Sequence, residues 1–132
     1  MNGISIAIMT DVHANLPALQ AVLGEVDRIG CDLIYHTDDL DAYFSFIPAD
    51  IVFYGHIHKP SRVNGEKEYV NPGSVGCTKD SMSRFCILRI RNGSYKLESH
   101  ETKYNKSVVF RELEHRKVPD RQFIARTFYG YS

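Results

Sequence analysis

The chain has 132 residues, 43% of them hydrophobic, which is enough for a single packed domain spanning 1–132. Lys and Arg balance Asp and Glu at 16 each, for a formal net charge of +0, so nothing in the charge supports nucleic acid as a standing partner. The odd set Cys31, Cys77 and Cys86 has no CxxC spacing, which argues against a disulfide frame and for reduced thiols in the cytoplasm.

Ile4–Met9 is a continuous, β-branched apolar run and reads as a buried strand. It is too short to cross a membrane, and it lacks the basic flank and small-residue cleavage site of a secretory leader. Asn15 then suits a helix N-cap, with Pro17 tolerated in the first turn. Leu16, Leu19, Val22, Leu23, Val26 and Ile29 recur at three and four, giving one apolar helical face, and Gly30 stops the helix. Strands are predicted over Asp32–His36 and Asp50–Tyr54. The second half changes character. Ser61–Val63 and Glu68–Val70 flank Asn64-Gly65, and Arg84–Arg91 and Tyr95–Glu101 flank Asn92-Gly93, so two hairpins are expected. The run from Asn71 to Gly76 is a tight turn whose backbone near Asn71 and Ser74 is placed at the rim of the site described next. Ser107–Leu113 alternates like a half-buried strand, and Pro119-Asp120 opens a terminal helix reaching about Thr127.

Chemistry concentrates after the predicted strands. Asp11 and His13 form an Asp-x-His pair, His56 and His58 form a Gly-His-x-His pair, and Asp39 stands between them in His36-Thr37-Asp38-Asp39-Leu40. Each residue has a plain reading on its own. An acid just ahead of a helix is common, two alternating histidines suit an exposed loop, and Asp38 competes with its neighbour Asp39. Together they are the carboxylate and imidazole mix that holds divalent transition metals for hydrolysis. The two motifs are expected to meet at the carboxyl end of one sheet, where α/β folds place ligands. His100 and His115 lack ligand spacing and read as surface.

The order Asp-x-His, Gly-His-x-His, Asn-Pro-Gly-Ser-Val resembles the calcineurin-like metallophosphoesterases, and within them the small single-domain phosphodiesterases of bacteria and archaea. The closing Val118-Pro119-Asp120-Arg121 and Phe128-Tyr129-Gly130 are also similar to that branch. The resemblance implies an α/β fold, a sandwich of two sheets flanked by helices, with two metals at the sheet ends. It implies that Asp11, His13, Asp39 and His58 bind the first metal. Asp39 would bridge to the second, which would also take His56. Mn, Fe, Ni or Zn suits these ligands, and the substrate would be a small phosphorylated molecule.

The chain departs from that pattern in its middle. The family's Gly-Asn-His motif, which carries a second-metal ligand and the general acid, is absent, and the stretch from Leu40 to Gly55 has neither Asn nor His. Thr37 to Ala49 is barely long enough for a parallel crossover and has no helical stripe, so the fold is expected to be truncated in its middle. Two functions follow. One is a metal-dependent phosphoesterase. The other is a catalytically impaired binding module that keeps one metal site.

Overall fold

Strand β1 (Ile4–Thr10) forms where the β-branched run is expected, and α1 (Leu16–Ile29) follows it. The α1 cap is as read: Asn15 Oδ1 accepts from Ala18 N at 3.1 Å, and Gly30 closes the helix with φ 76°. Then come β2 (Leu33–Thr37), β3 (Ile51–Phe53), β4 (Ser61–Asn64), β5 (Glu68–Asn71), β6 (Met82–Arg91), β7 (Ser94–Lys103), α2 (Lys106–His115) and α3 (Arg121–Tyr129). This computed structural model describes residues 3–37, 49–64 and 67–131.

The strands form two mixed sheets. The larger has the order β2-β1-β6-β7, and the smaller β3-β5-β4. β1 runs parallel to β2 and antiparallel to β6, while β3 runs parallel to β5. Both predicted hairpins form, β4 with β5 and β6 with β7. Asn92 and Gly93 adopt φ 51° and 73°, the left-handed pair that a two-residue hairpin turn needs.

The period-2 alternation of the central strands decides the layering. Ala7 and Met9 of β1, with Phe85 and Ile87 of β6, face a core that also holds Val22 and Val26 of α1, Val109 of α2 and Tyr129 of α3. Ile8, Cys86 and Leu88 face the other way and pack with Val70 and Phe53 of the smaller sheet. The larger sheet is therefore the middle layer, with helices on one face and the second sheet on the other. Glu68 ties the two sheets together: it accepts from Tyr95 of β7 at 2.7 Å and pairs with Arg62 of β4.

Two expectations are corrected. Ser107–Leu113 is helical, within α2. Asn105 caps it, accepting from Ser107 N at 3.0 Å, and Val109, Phe110 and Leu113 supply the three-and-four spacing that turns one side to the core. The strand before Gly-His-x-His also lies in the other sheet from β1, because β3 pairs with β5 rather than with β2. The two motifs therefore meet between sheets, not along the end of one. His100 is only partly exposed, stacked on Phe85 at 5.4 Å. The terminal helix starts at Asp120 as expected and runs two residues past Thr127.

Candidate metal centre

Asp11 lies just beyond β1 and is 8% exposed. Its two carboxylate oxygens have different surroundings. Oδ2 accepts from Thr10 Oγ1 at 2.9 Å and from the His56 backbone N–H at 3.1 Å. Oδ1 lies 3.6 Å from His13 Nε2 and 3.6 Å from His58 Nε2. The two Nε2 atoms are 3.1 Å apart, with the rings edge to face. Three donor atoms thus form a near-equilateral triangle.

That triangle fits a divalent ion. Ligands about 2.0–2.1 Å from a tetrahedral centre are separated by about 3.3 Å, and those on adjacent octahedral positions by about 2.9 Å. The observed edges of 3.1, 3.6 and 3.6 Å bracket the tetrahedral value and exceed the octahedral one. A carboxylate with two imidazoles is also the donor chemistry such ions take. Burial depresses the His58 pKa most, partly opposed by the Asp11 carboxylate, while the neighbouring His13 and His56 lower it further. A neutral imidazole with a free lone pair is the form that coordinates a metal.

The loop from Asn71 to Cys77 clamps the two motifs together, as the sequence suggests for the rim near Asn71 and Ser74. Asn71 Nδ2 donates to Ile57 O at 2.5 Å, and Ser74 N–H to His58 O at 3.3 Å. Ser74 Oγ donates to Asp11 O at 2.8 Å and accepts from Cys77 N–H at 2.8 Å. Gly76 N–H reaches Asp11 O at 2.9 Å, and Gly76 O accepts from Asn15 Nδ2 at 2.8 Å. Only glycine allows this approach, since a Cβ at 76 would stand 1.7 Å from Val12 O. Backbone strain gathers at the same place. Asp11, His13, Ala14 and His56 are four of the eight described non-glycine residues with positive φ. Such conformations persist where surrounding contacts over-determine them, and they cluster at functional sites.

The structure thus brings Asp11, His13 and His58 together. His56 contributes its backbone N–H to Asp11, while the residue itself is exposed. Asp39 and Asp38 lie outside the described residues. One neighbour was not singled out by sequence reasoning: Cys77 Sγ lies within 4.8 Å of the ligand nitrogens of both His13 and His58. No ligand spacing in the sequence marks it, and its place after the Asn71–Gly76 turn is the only hint. Burial pushes its thiol pKa up to about 11, with the Asp11 charge adding to the shift. Beside His58 and Cys77 opens a cleft of about 500 Å³ walled in part by Lys59, Lys79 and Arg84. Arg84 is paired with Asp80 across that wall. All three cysteines are free, and none of the described helices is long and apolar enough to cross a membrane.

No family model matches the chain, and no curated protein matches it. Solved structures do. A metallophosphoesterase from Sphaerobacter thermophilus is similar at TM-score 0.69 and 15% identity, over 95% of this chain and 98% of that one. The hypothetical protein PH1004 from Pyrococcus horikoshii OT3 is similar at TM-score 0.67 and 10% identity, over 98% of this chain and 99% of that one. Two mixed sheets with helices on one side, together with these likenesses, show that the chain has a truncated metallophosphoesterase-like fold.

Proposed function

We propose that the protein is a metal-dependent phosphoesterase whose metal is held by Asp11, His13 and His58. The observation that carries this reading is the triangle of Oδ1 and two Nε2 atoms with edges of 3.1–3.6 Å. Asp39 and His56 are proposed to complete the site, on the resemblance of their motifs. A bound divalent ion would supply Lewis-acid stabilisation of phosphoryl charge and lower the pKa of water at the site. The chain's own groups do the positioning. Thr10 and the His56 backbone fix Asp11 Oδ2, which leaves Oδ1 directed at the imidazoles. Lys59 and Lys79 on the cleft wall offer positive charge to a small phosphorylated substrate. Three free cysteines support a reducing compartment such as the cytoplasm.

The leaving group decides how active the site is. The sequence has no Gly-Asn-His motif, so no counterpart of the family's proton donor is present. Such a donor contributes about 10²–10⁴-fold. An aryl phosphodiester, which leaves without protonation, should therefore be hydrolysed far faster than an alkyl one. The test is hydrolysis of both esters with added Mn²⁺ or Zn²⁺, using the wild type and Asp11→Asn. Metal-dependent turnover of the aryl ester that Asp11→Asn abolishes supports the enzyme reading. Metal binding without turnover of either ester would favour a binding module on the same scaffold.

A further inference from the structure

The His13–His58 pair faces two different donors. On one is the Asp11 carboxylate, at 3.6 Å from each Nε2. On the other is Cys77 Sγ, within 4.8 Å of both imidazole ligand atoms. Cys77 differs from the other cysteines in its surroundings. Cys86 packs into the apolar layer between the sheets, and Cys31 packs against the helical core. Cys77 is 5% exposed but belongs to neither apolar cluster. Together with His58 it instead lines the cleft, which gives an ion a route to the sulfur.

We propose that Cys77 is a further protein ligand of the ion held on the His13–His58 edge, and that its sulfur makes the site select thiophilic divalent ions, zinc above all, over manganese. The inference rests on the metal reading given above and names the ion that reading leaves open. For zinc bonds of about 2.0–2.1 Å to nitrogen and about 2.3 Å to sulfur, a nitrogen and a sulfur ligand stand about 3.5 Å apart. Relative to the two imidazole nitrogens, Sγ therefore needs to close by no more than about 1.3 Å from the 4.8 Å limit. The Cys77 N–H is anchored on Ser74 Oγ at 2.8 Å, which holds the backbone while the side chain keeps its χ1 freedom. On coordination the S–H bond breaks, the proton passes to solvent, and the sulfur lone pair forms the metal bond. Soft sulfur favours zinc, whereas manganese prefers oxygen ligands.

The experiment is a cobalt(II) titration of the reduced full chain, followed by absorption. Wild type, Cys31→Ser and Cys86→Ser should each develop the intense near-ultraviolet sulfur-to-cobalt charge-transfer band, and Cys77→Ser should lack it. In competition, Cys77→Ser should lose at least about tenfold in zinc affinity and less than about twofold in manganese affinity. Cobalt bound by wild type with only the weak visible bands of nitrogen and oxygen ligation would overturn the role of Cys77 and leave the phosphoesterase reading intact. No cobalt binding at all would overturn both. Should Cys77→Ser fail to fold, X-ray absorption of zinc-loaded wild type decides. A sulfur neighbour at about 2.3 Å supports the assignment, and a shell of nitrogen and oxygen alone refutes it.

Discussion

Replacing Gly76 with alanine should unlock the clamp that holds the two ligand loops together. The new Cβ would sit 1.7 Å from Val12 O, 2.5 Å from Val12 C and 2.9 Å from Asn15 Cβ. Two of those three atoms are backbone, so no side-chain rotation relieves the clash. The Val12 contact must open by at least 1.3 Å to reach the 3.0 Å below which real Cβ atoms are essentially never found. That movement breaks the Gly76 N–H bond to Asp11 O and the Asn15 bond to Gly76 O, now 2.9 and 2.8 Å. Overpacking costs about 1–3 kcal/mol, and each buried hydrogen bond left open adds about 1–2 kcal/mol. The expected loss is about 4 kcal/mol, or about 10 °C or more in Tm for a domain of this size. Metal affinity should fall as well, because Asp11 shifts away from His58. Urea and thermal unfolding measure the first effect and metal titration the second. Gly24→Ala is the control. It is a helix-interior position with nothing within 4 Å of the new Cβ, so it should stabilise by about 0.5–1 kcal/mol. A Gly76→Ala protein within about 1 kcal/mol of wild type would refute the clamp.

Other consequences are as direct. Ser74→Ala removes the hydroxyl that joins Asp11 O to Cys77 N–H, and should cost about 1–3 kcal/mol in urea unfolding and weaken metal binding. Tyr95→Phe should cost about 1 kcal/mol at neutral pH by cutting the bond between the sheets. Its cost should also depend on pH. The Tyr95 hydroxyl, and then Arg62, hold the Glu68 pKa below the ordinary carboxylate value, so the bond's contribution is present above about pH 4.5. It is lost as acid titrates Glu68 through its lower folded pKa, so wild type and Tyr95→Phe should converge in stability at low pH, and a gap that stays constant there would contradict the assignment. Asp11→Asn should keep the fold, since the side chain retains its shape, and should reduce metal-dependent turnover of an aryl phosphodiester to background.

Periodicity and cap chemistry are what made much of this fold legible. Asn15 and Gly30 bracket α1, and Asn64-Gly65 and Asn92-Gly93 mark hairpins, because each signal is a local constraint on φ or on an orphan N–H. Ser107–Leu113 was misread because seven residues of mixed polarity carry both periods weakly. The Asn105 cap and burial against Tyr129 and α1 select the helix. Sheet membership was not legible either. Whether β3 pairs with β2 or with β5 depends on contacts distant in sequence, and no local residue records them. The truncation does have a structural counterpart. Among the described strands β2 is an edge strand, and Leu33 and Ile34 on it are 46% and 50% exposed. The convergence of Asp11, His13 and His58 could be anticipated because their motifs are local and paired. Cys77 could not, because its nearness to the histidines arises from a loop that folds back on Asp11 through Ser74 and Gly76.

We propose that Asp11, His13 and His58 share one divalent ion, and a crystal structure of zinc-loaded protein, with anomalous differences measured on both sides of the zinc edge, would locate it. A peak within about 2.0–2.2 Å of Asp11 Oδ1, His13 Nε2 and His58 Nε2 is expected. A fully loaded crystal with no peak there, or with zinc bound only elsewhere, would contradict the proposal.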